Sequence, residues 1–198
     1  MERDSGLLIV DVQNDFCPGG VLGVADGDRV VEPLNRAAER FWEAGLPVIA
    51  SRDWHPAVTR HFREYGGAWP PHCVQGTPGA DFHPGLHLPA GTMVVSKGTN
   101  PDLDSYSAFE GVLEDGATLA SHLATLGVRH IYIGGLATDY CVRSSALDAV
   151  RAGLRVTVLT DAVAGVDLEQ GDSAVALDEM VRAGVRLATV DAIQEGAL

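Results

Sequence analysis

The chain has 198 residues, of which 46% are hydrophobic, and a formal net charge of −13. This length and apolar content suit one domain with a substantial core, which we take to be residues 1–198. The negative charge opposes nucleic-acid binding, because a phosphate backbone needs a basic surface, and it favours a small-molecule partner. No apolar stretch approaches the roughly 20 residues that span a bilayer. We therefore expect no membrane partner.

Cysteine usage points to a reducing compartment. The three cysteines are Cys17, Cys73 and Cys141, and an odd number without a secretory signal predicts reduced thiols and a cytoplasmic location. The sequence leaves the oligomeric state open, including a homo-oligomer.

Strand and helix patterns alternate along the chain. Short apolar, β-branched runs begin at Leu7, Leu46, Met93, His130, Arg155 and Arg186. Most are separated by segments with helical spacing, and these end at Gly45, Gly127, Gly153 and Gly184, as expected of helix C-termini. The pattern predicts an α/β fold: a single doubly wound, Rossmann-like domain with a six-stranded, mainly parallel sheet and helices on both faces.

Residues 52–91 show no sustained period. They hold five of the seven histidines, and so long a loop inside a compact domain is usually functional. Ligands of a parallel sheet bind beyond the carboxyl ends of its strands. Polar side chains lie at or just after the predicted strand ends: Asp11, Asp53, His55, Lys97 and Cys141. Asp161 also ends a predicted strand, but its position suggests no specific role.

A metal site is predicted around the second strand end. Asp53 and His55, two residues apart, can share one side of an extended segment, and His61 and His72 can fold back from the long loop. Three imidazoles and a carboxylate suit one divalent ion, Zn²⁺, Fe²⁺ or Mn²⁺. The alternative is that loop histidines are solvated or bind local backbone. We prefer that alternative for His83 and His87, and we take His122 and His130 as structural.

The stretch GGLATDYCVRSSALDAV places Cys141 within the first turn of a predicted helix. A helix N-terminus lowers the pKa of a thiol and favours a nucleophilic thiolate. The alternative is that Cys141 is a small buried hydrophobe. Asp11 can serve as the base if Lys97 holds it in place and tunes its pKa. The alternative is that Asp11 forms a turn and that Lys97 is a solvated residue at a strand end.

Several motifs occur together in order: IVDVQNDFCPGG, SRDWHP, WPPHCVQGTPGADFHP, VSKG with YSAFEG, and GGLATDYCVRSSALDA. From about Leu7 to Ala164 the chain resembles the nicotinamidases, also called pyrazinamidases, of the isochorismatase-like hydrolase superfamily. The resemblance implies a catalytic triad of Asp11, Lys97 and Cys141. It implies metal ligands Asp53, His55, His61 and His72. It also implies a cis bond between Leu136 and Ala137, with the N–H groups of Ala137 and Cys141 forming an oxyanion hole. Substrate-binding residues are implied to be Phe16, Trp69, Tyr106 and Ala137.

The implied activity is metal-dependent hydrolysis of nicotinamide, and of pyrazinamide, to the acid and ammonia through a cysteine thioester. The PAVTR segment before His61 is not distinctive, so only its length supports that ligand. Cys17 and Cys73 do not open helices and are assigned to packing. Tyr140 occupies a position where relatives also carry histidine.

Three alternative functions use some of the same residues. A sister amidase that acts on N-carbamoyl or other small amides shares the triad but lacks the metal. Isochorismatase proper cleaves a vinyl ether and needs no cysteine. The third alternative is a redox-sensing or non-catalytic metal-binding protein, in which Cys73 would form a disulfide with Cys141. This alternative does not explain why Asp11, Lys97 and an aromatic pocket accompany the thiol.

Overall fold

The computed structural model describes residues 2–193 and contains one six-stranded sheet in the order β3-β2-β1-β4-β5-β6. The strands are β1 (Ser5–Val10), β2 (Val48–Asp53), β3 (Met93–Lys97), β4 (His130–Leu136), β5 (Arg155–Ala164) and β6 (Arg186–Ala188). All five neighbouring pairs are parallel. The predicted α/β class is confirmed, and the sheet of the described residues is parallel throughout.

Four α-helices accompany the sheet within residues 2–193. They are α1 (Val31–Glu43), α2 (Leu119–Thr125), α3 (Arg143–Arg151) and α4 (Asp172–Arg182). Each ends two residues before one of the glycines that the sequence marked, and all four glycines have positive φ. Glycine adopts this left-handed conformation without a Cβ penalty, which is why it ends these helices.

The alternation of β1 shows that helices cover both faces of the sheet. Leu7 and Ile9 pack in the core cluster that contains the buried side of α1. Leu8 and Val10 point to the other face and pack in the cluster that contains residues of α2, α3 and α4. Every residue of β1 is buried, which explains its nearly continuous apolar sequence.

Two strand predictions need correction. β5 continues to Ala164, so Asp161 lies inside the strand and does not end it. Its carboxylate accepts a hydrogen bond from the backbone N–H of Val190 at 2.9 Å and thereby ties β5 to the segment after β6. β6 itself ends at Ala188, two residues earlier than its apolar run suggested.

The strand order locates the binding crevice. From β1 the chain proceeds outward to β2 and β3, then returns to place β4 on the other side of β1. Ligands of open parallel sheets bind at such a switch point, beyond the carboxyl ends of β1 and β4. Residues 54–92, which contain no α-helix, supply part of the covering over this edge. Within the described residues, no helix combines the length and apolar character needed to cross a bilayer.

Candidate active site

Cys141 lies in a π-helical turn, Thr138–Val142, and α3 begins only at Arg143. The wider turn is visible in the hydrogen bond from Val142 N–H to Ala137 O, 3.1 Å long. The expected first turn of an α-helix is therefore a π turn. The bond between Leu136 and Ala137 is cis, as the resemblance implied.

Lys97 contacts both other residues of the triad that the resemblance implies, Asp11 and Cys141. Its Nζ lies 3.0 Å from Asp11 Oδ2 and 3.5 Å from Cys141 Sγ, and it also contacts Asp53 Oδ1. The side chains of Lys97 and Asp11 are wholly buried, so Lys97 is not a solvated strand end. Ser51 Oγ donates a 2.7 Å hydrogen bond to Asp11 Oδ1. Among the described residues, Asp11 Oδ2 has no hydrogen-bond donor with good geometry, although it faces the ammonium.

The charges of this group are set by burial and by one another. Burial raises the pKa of Asp11, Lys97 opposes that rise, and Asp53 adds to it. Burial alone would lower the pKa of Lys97, but Asp11 and Asp53 outweigh it and the pKa lies well above its usual value. For Asp53, Lys97 and His55 outweigh burial and lower the pKa. The group thus holds a fixed ammonium between one firmly ionised carboxylate and one that can take up a proton.

The expectation of a lowered Cys141 pKa is wrong for the protein without substrate. Burial raises the pKa of the thiol, and Asp11 and Asp53 raise it further against the opposing effect of Lys97. A helix N-terminus contributes only a fraction of a charge, and the cost of burying the charged thiolate outweighs it. Cys141 therefore rests as a thiol and needs a base to become a nucleophile.

His55, His61 and His72 form one buried cluster in which the potential ligand atoms all lie within 4.8 Å of one another. Each ring uses Nδ1 for a hydrogen bond: His55 with Gly98 O at 3.0 Å, His61 with Asp104 Oδ1 at 2.6 Å, and His72 with Pro70 O at 2.8 Å. These acceptors fix a proton on Nδ1 and leave Nε2 as the free ligand atom.

The cluster fits a divalent metal ion. Nε2 of His55 is buried and has no hydrogen-bond partner among the described residues. Burial lowers the pKa of His61, and it lowers that of His72 to about 4, so both rings are neutral. Asp53 Oδ2 lies 3.7 Å from His55 Nε2 and 3.9 Å from His72 Nε2, which adds a carboxylate to the donor set. Neutral imidazoles with one carboxylate suit Zn²⁺, Fe²⁺ or Mn²⁺.

A second group of ligand atoms, from Asp11, Asp53 and Cys141, also lies within 4.8 Å. The Lys97 ammonium contacts all three of these side chains. A fixed positive charge already neutralises the carboxylates there, so this group serves Lys97 rather than a second ion.

The site opens into a pocket of about 290 Å³ that Asp53, His61, His72, Ala137 and Cys141 line together. Its remaining lining is mostly aromatic and aliphatic: Phe16, Val21, Leu22, Gly23, Val24, Trp69, Tyr106, Tyr140, Val166 and Leu168. Trp69 Nε1 donates to the Tyr106 hydroxyl at 2.9 Å, and the rings of Trp69 and Tyr140 pack edge to face at 5.3 Å. The structure thus brings all the residues that the sequence nominated to one pocket or directly behind it.

Several supporting residues escaped sequence reasoning. Gln13 binds the backbone of Asp53 through both ends of its amide, at 2.8 Å each. Asp139 accepts hydrogen bonds from the backbone N–H groups of Val166 and Asp167, at 2.9 Å each, and so ties the pocket wall to the turn that contains Cys141. Asp104 supports His61. The only sequence signal for these three residues is that each lies two positions from a candidate site residue.

Gly98 is required by its closeness to His55. Its φ is +66°, and a Cβ placed there would lie 2.6 Å from Nδ1 of His55. Gly98 O is also the acceptor that orients this ring. The glycine after Lys97 therefore shapes the histidine cluster as well as the turn.

His83, His130 and the two remaining cysteines lie where the simpler interpretation put them. His83 Nδ1 accepts a hydrogen bond from Gly85 N–H, and His130 Nε2 pairs with Thr157 Oγ1 at 2.9 Å inside the core. Neither belongs to a ligand cluster among the described residues. Cys17 and Cys73 are buried, and both are free thiols.

The parallel sheet and the position of the pocket place this protein in the class of α/β enzymes that bind small molecules at a topological switch point. Within that class, the chain belongs to the isochorismatase family, because the Isochorismatase domain matches residues 5–192.

Similar proteins support this placement. The chain is 42% identical to the nicotinamidase of Escherichia coli, over 93% of this chain and 94% of that protein. It is 45% identical to the nicotinamidase/pyrazinamidase of Mycobacterium tuberculosis, over 91% and 96%. A crystal structure of the pyrazinamidase of Pyrococcus horikoshii in complex with zinc matches with a TM-score of 0.87 and 44% identity, over 94% of this chain and 99% of that one.

Proposed function

We propose that this protein is an amidohydrolase that converts nicotinamide to nicotinate and ammonia and also accepts pyrazinamide. One observation carries the proposal: the Cys141 thiol, with Asp11 and Lys97 directly behind it, shares an aromatic pocket with the buried histidine cluster. The similarity to a nicotinamidase and to a nicotinamidase/pyrazinamidase supports the same substrate class.

The pocket recognises a flat heteroaromatic ring. Phe16, Trp69 and Tyr106 line it, and aromatic walls favour such a ring through stacking and edge contacts. Asp53, His55, His61 and His72 would hold one Zn²⁺, Fe²⁺ or Mn²⁺ ion. When bound, that ion supplies a coordination position for the ring nitrogen and thereby orients the substrate.

The first half of the reaction acylates Cys141. Asp11 takes the thiol proton while Lys97 holds the carboxylate in place, and the sulfur attacks the carboxamide carbon. The carbonyl oxygen becomes an oxyanion, to which the backbone N–H groups of Ala137 and Cys141 donate. Each such donor typically contributes a factor of about 10²–10³ in rate. Asp11 returns its proton to the leaving nitrogen, the C–N bond breaks, and ammonia leaves a thioester.

The second half hydrolyses the thioester. Asp11, again ionised, takes a proton from a water molecule whose oxygen attacks the acyl carbon. The C–S bond breaks, the proton on Asp11 returns to the Cys141 sulfur, and the carboxylic acid is released. The raised pKa values of Asp11 and Cys141 suit this shuttle, because burial favours the protonated form of each group and so makes each a better proton acceptor than it is in water.

The histidine cluster and the buried Lys97 favour this reaction over the alternatives. A metal-independent amidase for N-carbamoyl compounds has no use for three rings oriented with free Nε2 atoms. A redox sensor has no use for the ammonium of Lys97 beside Asp11. Three free thiols also fit a cytoplasmic enzyme, where thiols stay reduced.

The test is a comparison of amides. Ammonia release from nicotinamide, pyrazinamide and N-carbamoylsarcosine is measured with the same metal-loaded protein. We expect rapid release from the two heteroaromatic amides and little from the third. Release from N-carbamoylsarcosine alone, unaffected by removal of the metal, would establish the sister amidase instead.

A further inference from the structure

One of the three clustered histidines differs from the others in what holds it. Nδ1 of His55 and of His72 faces a backbone carbonyl, whereas Nδ1 of His61 faces the carboxylate of Asp104 at 2.6 Å. The His61 side chain is 4% exposed and the Asp104 side chain 65% exposed. An exposed carboxylate thus holds a buried ring from outside.

The backbone around this pair is arranged to bring the two side chains together. His61 lies in a segment without regular secondary structure, next to the loop that contains Asp104. Pro101 O accepts hydrogen bonds from Arg60 N–H at 2.8 Å and from Thr59 Oγ1 at 3.2 Å. These contacts fix the separation of the loops, but none of them fixes the rotation of the His61 ring.

A carboxylate has two consequences that a backbone carbonyl lacks. As a charged acceptor it makes a stronger hydrogen bond to Nδ1–H, and this keeps the lone pair of Nε2 directed into the cluster. It also adds a negative charge beside the ligand cluster. Asp53, the carboxylate nearest the rings, already shares its charge with Lys97.

We propose that Asp104 is a positioning residue of the metal site: through His61 it orients a ligand and strengthens metal binding. This inference rests on the proposed metal-dependent function. Asp104 itself touches neither the pocket nor the nucleophile, since it does not line the cavity.

The experiment compares Asp104→Asn, Asp104→Ala and Asp104→Glu with Asp102→Asn. Asp102 lies two residues away in the same exposed loop, so its variant makes the same charge change at a position with no hydrogen bond or ion pair to the described histidines. Metal-free proteins are titrated with Co²⁺, followed by visible absorption, and Zn²⁺ affinity is measured by competition with a chelator.

We expect the Asp104 variants to bind either ion about 10–100-fold more weakly than the wild type. Asp102→Asn should stay within about twofold, and Asp104→Glu should recover part of the loss by restoring the charged acceptor.

Two results overturn the proposal, and they differ. If wild-type protein binds Co²⁺ and Zn²⁺ and the Asp104 variants bind equally well, Asp104 has no positioning role while the proposed function stands. If the folded wild type binds neither ion, the metal-dependent function fails together with this inference.

Discussion

Lys97 Nζ lies 3.0 Å from Asp11 Oδ2, and both side chains are completely removed from solvent. In the proposed mechanism, this ion pair lets the buried Asp11 carboxylate act as a base beside the thiol. Lys97→Met removes the ammonium and leaves Asp11 and Asp53 without a compensating charge. We expect kcat to fall by about 10²–10⁴, because Asp11 then retains its proton. Breaking such a buried pair also costs about 3–5 kcal/mol in the free energy of unfolding. Steady-state kinetics and urea unfolding measure both, and a kcat near that of the wild type would exclude the role of Lys97.

Gly98→Ala tests the close packing of the turn against His55. The new Cβ meets the ring, 2.6 Å from Nδ1, so we expect His55 to shift and metal affinity to fall at least tenfold, on the order seen when an orienting contact is lost. Gly116→Ala is the matched control, since Gly116 has φ +82° and nothing within 4 Å of its added Cβ. Equal metal affinity of the two variants would show that the contact with His55 is unimportant.

Asp139→Ala removes the carboxylate that binds Val166 N–H and Asp167 N–H. The pocket wall formed by Val166 and Leu168 then loses its attachment to the nucleophile turn. We expect KM for nicotinamide to rise roughly tenfold, because a hydrogen bond to a charged group contributes about 1.5–3 kcal/mol and tenfold corresponds to about 1.4 kcal/mol. The kcat should change less. Ser173→Ala is the control: it removes the hydroxyl that donates to the Asp167 carboxylate and leaves Asp139 in place, so KM should stay within about twofold. An unchanged KM in Asp139→Ala would contradict this role.

The pH dependence of stability in the metal-free protein follows from His72. Burial lowers its pKa from 6.5 to about 4, so the unfolded chain binds more protons between these values. The contribution is fully present above about pH 6.5 and is lost as the pH falls toward about 4. From neutral pH to about pH 5, the free energy of unfolding should fall by about 2 kcal/mol more in the wild type than in His72→Gln. The comparison uses urea unfolding of both proteins, and an equal fall in the two would rule out this contribution.

The sequence predicted the parallel sheet, the helix ends and the proximity of the candidate site residues, because these depend on short-range patterns. Buried runs such as that of β1 and glycines such as Gly45 identify elements from a few neighbouring residues. Strand ends in a parallel sheet share one edge, which brings Asp11, Lys97 and Cys141 together.

What the sequence could not predict depends on contacts between distant segments. A helix-end argument considers only the local backbone and so predicts a lowered pKa for the Cys141 thiol, whereas burial, with the charges of Asp11 and Asp53 from other strand ends, raises it. Asp104 is bound to His61 across 43 residues of sequence, and Asp139 binds backbone N–H groups 27 and 28 residues away. Neither contact leaves a periodic signal.

The most direct test of the account is ammonia release from nicotinamide by the wild type and by Cys141→Ala, each metal-loaded and at matched protein concentration. We predict rapid release by the wild type, its loss on chelation and its return when a divalent ion is restored. We predict no release above background by Cys141→Ala, with metal content unchanged. Release by Cys141→Ala at the wild-type rate would contradict the thioester mechanism. Absence of release by folded, metal-loaded wild type would contradict nicotinamide as the substrate.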